Sequence, residues 1–279
     1  NNELTFRLYR EVLDHYQQKT ERSAAQAFPV IREVYENPSN TYERIVVPFT
    51  DGQKMLNIVT DLKEAYESGG KKLISDFEKN IPADDLFLIN AAEYSYGIRI
   101  LNQDKWEMLI SFIISQRKSI PAIKSSIEKL AERYGKKIDM KVPDFIKNID
   151  KNSEFFAFPT PKVLANASVD DLNACSLGYR SPYIDATAKT VYRGDIDLEA
   201  LSGLDDNELL AALMSLKGVG IKVANCVALF GYHRIAAFPI DVWIKRMIDE
   251  HYAGEFPLKL YDGYAGVIQQ YIFYYGRES

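Results

Sequence analysis

Leu216-Lys217-Gly218-Val219-Gly220-Ile221-Lys222-Val223-Ala224-Asn225-Cys226, followed by Phe238-Pro239-Ile240-Asp241, is the stretch that decides the fold. A helix ends at Ser215 or Leu216, a Gly-x-Gly turn comes next, and a second helix begins near Ile221. Glycines at 218 and 220 let the backbone turn sharply and expose its amides. Unpaired amides at the start of the second helix favour an anion such as a phosphate. The pattern reads as a helix-hairpin-helix, a device that holds nucleic-acid backbone without reading sequence. On the turn alone, a plain helical hairpin with a glycine linker is the stronger alternative.

Lys222 changes that balance. It falls in the first turn of the second helix, where the positive end of the macrodipole disfavours a cation. An amine held there and partly desolvated is expected to titrate below its ordinary range, which is how a lysine becomes a nucleophile. The competing reading is a lysine whose stem lies on apolar surface while its head reaches solvent; position alone leaves both standing. Asp241 comes after Pro239 and opens an apolar helix over 242–252, so it reads as an N-cap. A capping carboxylate is held rigidly, and a fixed negative charge is what a cationic sugar transition state needs.

Outward from this stretch the chain is mostly helical. Residues 106–117 are apolar on most faces, the signature of a buried central helix. Residues 120–134 are amphipathic and stop at Gly135. Ser168-Val-Asp-Asp resembles a helix start with its cap, and further helices are expected over 183–192 and 206–215. Earlier in the chain the pattern changes. Helical spacing over 4–36 gives way to two β-rich runs around Asp51-Gly52, then to a short helix at 61–68. The expected fold is therefore mainly α: two helical subdomains with a helix-hairpin-helix motif, plus a small N-terminal α+β domain. The domain boundary is placed at 1–93 and 94–279.

Composition limits the function. The chain has 279 residues, a net charge of −5, two cysteines and three histidines. Two distant cysteines suit a reducing cytoplasm and cannot hold a four-cysteine iron–sulfur cluster. Dispersed histidines argue against a metal-dependent hydrolase, so no metal is expected. No apolar run is long enough to span a bilayer, and no secretory signal opens the chain. The acidic balance counts against a protein that coats DNA through bulk charge. A local basic stretch survives: between Arg99 and Lys137 nine basic residues face four acidic ones. Alone, that stretch is an ordinary solvated helix face.

The two lysines, the glycine turn and the aspartate 19 residues after Lys222 together resemble the helix-hairpin-helix–Gly/Pro–Asp superfamily of DNA glycosylases. The likeness is greatest to the bacterial-type 8-oxoguanine DNA glycosylase/lyase branch. Phe158-Pro-Thr-Pro, Leu177-Gly-Tyr-Arg and Tyr264-Ala-Gly-Val-Ile-Gln-Gln-Tyr-Ile-Phe share it, so the resemblance spans roughly 94–277. It implies a base-excision repair enzyme that flips an oxidised purine out of double-stranded DNA. Lys222 would displace the base and form a Schiff base with the sugar, and Asp241 would support the cationic sugar. A base pocket would be built from Cys226, Gln269, Phe273 and Pro239. Lys222 with Cys226, and Gln269 with Phe273, are also four residues apart on one helical face, independently of the family. Contacts to DNA would come from Gly218, Val219 and Gly220 of the hairpin, from Gln116 and Arg117, from the Tyr179-Arg180 pair at the orphaned cytosine, and from Trp243.

The departures are specific. Arg117 stands where the family has an asparagine facing the estranged base, and Ala122 where it has a cytosine-reading arginine. Trp243 stands where animal-type members have histidine. The N-terminal part lacks the family's Gly-Gln-x-Phe-Arg-Trp segment, in which a glycine carbonyl senses the N7 proton of 8-oxoguanine. Ile-Ser-Gln116 also resembles the alkylpurine glycosylase branch, so a 3-methyladenine-type enzyme is the alternative. The resemblance implies no cofactor, with a monovalent cation at the hairpin left open. The expected partner is damaged double-stranded DNA, met by a monomer in the bacterial cytoplasm, at the nucleoid.

Overall fold

A computed structural model of the chain describes residues 80–95, 98, 100–138 and 154–278. The helices expected over 4–36, the hairpin around Asp51-Gly52 and the helix at 61–68 lie outside the described residues. The chain divides into two compact units, residues 1–75 with 136–157, and residues 76–135 with 158–279. In the first unit the described part is a short antiparallel ladder of β1 (Lys137–Ile138) and β2 (Phe155–Phe156). Lys137 stands opposite Phe156 and Ile138 opposite Phe155.

The second unit is helical. Its elements are α1 (Leu86–Tyr94), α2 (Lys105–Ser115), α3 (Ile120–Tyr134), α4 (Pro161–Ala165) and α5 (Val169–Asn173). After these come α6 (Ser181–Arg193), α7 (Asp206–Met214), α8 (Ile221–Gly231), α9 (Val242–His251) and α10 (Ala265–Glu278). Short 3-10 turns at Gly178–Arg180, Ala200–Gly203 and Leu258–Tyr261 join them. The starts are capped as the residue types dictate. Asp104 accepts from the Glu107 amide at 2.8 Å, Asp205 and Glu208 close a reciprocal capping box, and Ser168 accepts from the Asp171 amide at 3.0 Å.

Apolar side chains of this unit gather in two clusters. The first is built on α2, whose Trp106, Met108, Leu109, Ile110, Ile113 and Ile114 are all buried, with Met108 standing outside the cluster itself. Burial of each side chain of this size contributes roughly 1.5–3 kcal/mol, which explains why a helix apolar on nearly every face sits in the middle. α3, α6 and α8 pack around it, and α7 packs on α8. The second cluster joins α1, α9 and α10 around Ile244, Ile248, Ile268 and Tyr271. Asp85 ties it together. Its carboxylate caps α1 and accepts the Tyr252 hydroxyl at 2.9 and 3.1 Å, just past the end of α9. Burial, together with that contact, holds the Tyr252 phenol well above its usual range.

The clusters meet where the chain leaves α8 and enters α10. The Gly266 amide donates to the Ile235 carbonyl at 2.7 Å. A β-carbon on Gly266 would stand 2.5 Å from Leu229 Cδ1 and within 2.6–2.8 Å of the Ala237 and Ile235 carbonyl oxygens. Glycine is therefore required by close approach, not by dihedral freedom. Gly266→Ala is expected to cost about 1–3 kcal/mol or more, since two of the clashing atoms are backbone. Gly203→Ala, with open space at its β-carbon, is expected to stay within about 0.5 kcal/mol. Urea unfolding of both variants measures the difference, and equal stabilities would show that the joint imposes no packing constraint.

Candidate active site

The site begins at the turn between α7 and α8. Gly218 has φ +85°, in the left-handed region that favours glycine. A β-carbon there would meet the Tyr183 ring at 2.5 Å. Thr187 Oγ1 donates to the Lys217 carbonyl at 3.2 Å, so α6 braces the turn at two successive residues. Val219 turns its side chain into the first cluster and donates its amide to the Leu216 carbonyl at 3.1 Å. Gly220 is exposed and serves as N-cap of α8 without any side-chain cap. The first amides of α8 have no intrahelical partner.

The start of α8 sets the phase of everything on it. Val223, Ala224, Val227 and Ala228 face the first cluster. Lys222 is left half-buried, with its Nζ 5.5 Å from the centre of the Phe112 ring. Phe112 in turn stacks on Phe230 at 5.6 Å. Cys226 lies one turn after Lys222 and is 4% exposed. Burial pushes its thiol up to about 11; the Lys222 ammonium, by charge and hydrogen bonding, opposes this shift and the Asp241 carboxylate adds to it. Both charged groups thus act on one sulfur, although they come from helices in different clusters.

Asp241 is the N-cap of α9 and accepts the Ile244 amide at 2.8 Å. One carboxylate oxygen is fixed by that bond while the residue stays partly exposed. Pro239 beside it is buried. Ile240, Val242 and Trp243 are exposed, as is Ile221 next to Lys222. Gln269 and Phe273 lie one turn apart on α10. Gln269 is buried and accepts from Gln270 Nε2 at 2.6 Å, while the Arg277 guanidinium lies 5.6 Å from the centre of the Phe273 ring.

A second group of the expected residues also comes together. Gln116 ends α2 and donates its carboxamide to the Gly218 carbonyl at 3.0 Å. Its own carbonyl accepts from Arg180 Nε at 2.9 Å. Tyr179 is exposed and Arg180 is buried. Arg117 is exposed with φ +52°. Sequence patterning misses Phe112 and Tyr183, the rings beneath Lys222 and behind Gly218. Both sit on helices whose apolar period explains them as packing, and nothing local marks them as part of a site.

Residues 110–256 match the family model described as HhH-GPD superfamily base excision DNA repair protein. A probable N-glycosylase/DNA lyase of Methanothermobacter thermautotrophicus is 30% identical over 225 residues, covering 70% of this chain and 69% of that protein. The Clostridium acetobutylicum 8-oxoguanine glycosylase/lyase, solved with double-stranded DNA containing cytosine opposite 8-oxoguanine, superposes with a TM-score of 0.65 at 34% identity. That superposition covers 73% of this chain and 70% of the other. A separate likeness is to the protein translocase subunit SecA of Flavobacterium psychrophilum, 62% identical over 79 residues. It takes in 28% of this chain and spans only 7% of the translocase.

The environment of Cys226 yields a measurable outcome. A thiol this buried and pushed up to about 11 is expected to react with iodoacetamide at neutral pH far more slowly than an unfolded cysteine. The native state keeps a proton that the unfolded chain, with its thiol at 9.0, gives up first. The thiol's contribution is therefore whole below pH 9 and declines as pH rises towards 11. Cys226→Ala is expected to lack that part of the alkaline decline, read by urea unfolding at pH 8 and pH 10. Native alkylation at the unfolded rate would contradict the geometry.

Proposed function

Because the chain belongs to the helix-hairpin-helix–Gly/Pro–Asp superfamily of base-excision DNA repair proteins, we propose that it excises 8-oxoguanine from double-stranded DNA and then cuts the strand through a lysine-linked intermediate. The reading is supported by Lys222, half-buried in the first turn of α8 with its Nζ 5.5 Å from the Phe112 ring centre, and by Asp241, a partly exposed cap fixed by the Ile244 amide, with the Cys226 thiol feeling the charge of both. An amine held at a helix start and a carboxylate of fixed direction are what attack on a deoxyribose carbon requires.

In this reading the damaged nucleotide is flipped out of the stack, since its glycosidic bond is out of reach inside a duplex. The Lys222 side chain reacts as the uncharged amine: Nζ bonds to C1′ as the bond from C1′ to the base nitrogen breaks, the electron pair leaves with the base, and the departing base takes up a proton released from Nζ, the remaining Nζ proton passing to the ring oxygen as the sugar opens. The Asp241 carboxylate offsets the positive charge that develops on the sugar. Opening of the sugar ring gives an imine, a C2′ proton is then lost, and the 3′ phosphate departs by β-elimination. Phe112 holds the lysine head over an apolar floor. Cys226 stays a neutral thiol at neutral pH, so it shapes the pocket and does not compete as nucleophile. Gln269 and Phe273 recognise the flipped base by hydrogen bond and stacking, and Pro239 closes the pocket wall.

The hairpin supports the DNA contact. Gly220 and the first amides of α8 offer donors to a phosphate, and Ile221, Ile240, Val242 and Trp243 present exposed apolar surface for the sugar and flanking bases to cover. No described helix is long and apolar enough to cross a membrane. We take the enzyme to act as a monomer in the cytoplasm, where the DNA is. We assign the SecA-like stretch to the part of the chain before residue 110, because the family model claims 110–256. The alkylpurine alternative loses its main support, because the Gln116 carboxamide is engaged by the Gly218 and Ile113 carbonyls and is not free to fill a gap in the duplex.

Incubation with an 8-oxoguanine duplex and borohydride is expected to trap a covalent adduct that Lys222→Gln abolishes. Base release without an adduct would rule out the lysine chemistry. Asp241→Asn is expected to slow single-turnover excision by about 10²–10³-fold. Asparagine caps a helix about as well as aspartate, so stability should change by no more than a few tenths of a kcal/mol. Parallel loss of stability and rate would make Asp241 a cap and nothing else.

A further inference from the structure

The resemblance places Arg180 at the orphaned cytosine, but the residue is only 5% exposed and its guanidinium is already engaged. Nε donates to the Gln116 carbonyl at 2.9 Å, one terminal nitrogen donates to the same oxygen, and the other donates to the Leu177 carbonyl at 3.1 Å. The Tyr179 ring lies under the guanidinium at 4.3 Å, and its hydroxyl reaches the same Gln116 carbonyl at 3.4 Å. From the other side, the Gln116 carboxamide donates to Gly218 in the hairpin at 3.0 Å and to Ile113 in α2 at 3.1 Å. One residue thus links the end of α2, the hairpin and the 3-10 turn carrying Tyr179.

We propose that Arg180 is a positioning residue: by clamping the Gln116 carbonyl it makes the hairpin and the exposed Tyr179 ring a single rigid edge that opens the duplex at the lesion. The inference rests on the excision reading and deepens it. A forked guanidinium suits the role, because it can hold two carbonyls in fixed directions where an ammonium would hold one. The clamp also fixes the two residues after Gln116. Arg117 takes a left-handed backbone and projects outward. Lys118 is anchored by its Nζ to Ser126 Oγ at 2.5 Å and to the Ser176 carbonyl at 2.6 Å. Wedge, outward cation and phosphate-facing hairpin are thereby set at fixed spacing. A wedge that gives way under the stack loses the unstacking work it must perform, so this clamp acts before the chemistry and not on the reacting atoms.

The discriminating experiment compares two substrates in single-turnover conditions. One is a duplex with 8-oxoguanine opposite cytosine. The other carries an abasic site at the same place, where no base has to be extracted, and is read by borohydride trapping. Arg180→Gln is expected to slow lesion excision roughly 10- to 100-fold, the scale of an ångström-sized misplacement, while abasic trapping falls by less than about threefold. Arg180→Lys, which keeps the charge and loses the fork, should fall between. Excision opposite adenine should drop by the same factor as excision opposite cytosine. Gln116→Leu, which cuts the side-chain link to the hairpin and leaves the backbone carbonyl that Arg180 holds, should reproduce the split, and Arg180→Lys decides the matter if Arg180→Gln does not fold. A loss confined to cytosine-opposed lesions would make Arg180 a base reader and overturn the proposal. Equal loss on both substrates, or loss on neither, would overturn it too. Failure of the excision reading shows differently, as absence of any adduct with the unsubstituted protein.

Discussion

The close approach of the Gly218 backbone to the Tyr183 ring is the constraint on which the site depends. It is possible only without a β-carbon and with a left-handed backbone. It fixes the residue at which α8 starts, and a helix start determines the direction of every side chain after it. Lys222 and Cys226 share a face because they are one turn apart. That this face meets Phe112 rather than Ile110 or Ile113 is a consequence of where the turn lets the helix begin. The bracing is redundant: Tyr183 packs on Gly218, Thr187 holds the Lys217 carbonyl and Gln116 holds the Gly218 carbonyl.

Lys222 lies on α8, which packs in the first apolar cluster, and Asp241 opens α9, which packs in the second, so the placement of one relative to the other depends on how the clusters join at Gly266. The second cluster has its own tie in the Asp85 carboxylate and the Tyr252 hydroxyl. The joint supplies the remaining degree of freedom, the placement of α10 against the segment that leaves α8. Asp241 serves both levels at once. Its bond to the Ile244 amide ends an otherwise uncapped helix and fixes the carboxylate's direction. In the proposed excision that immobility matters, because a carboxylate free to rotate would reorganise as the sugar turns cationic.

Sequence reading reaches the elements that have local causes. α2 is written in its apolar run, α3 stops at Gly135 as expected, and the caps at Ser168 and Asp241 are the residues whose side chains do the capping. α2 ends one residue before Gln116, short of the expected 117, because Gln116 and Arg117 leave helical dihedrals. No periodicity signals that departure. α6 begins at Ser181 rather than 183, since Pro182 sits well in a first turn entered from a 3-10 helix. Lys222, Cys226 and Asp241 are legible through type and spacing. Phe112 and Tyr183 are not, because a ring that supports a site and a ring that fills a core obey the same period.

Arg180 marks the point where residue type and position stop being sufficient. An arginine in an exposed-looking Gly-Tyr-Arg loop suggests contact with a nucleic acid, and the adjacent tyrosine is indeed at the surface. Whether the guanidinium reaches outward or inward depends on which acceptors lie within its length. Those acceptors are the carbonyls of Gln116, more than sixty residues earlier in the chain, and of Leu177. A backbone carbonyl leaves no mark in the sequence, since every residue has one. What exposes it for capture is the end of α2, where the Gln116 carbonyl has no later turn of helix to accept from. The buried cation is thus explained by a helix terminus that needed a donor, and the same explanation binds the turn carrying Tyr179 to the hairpin.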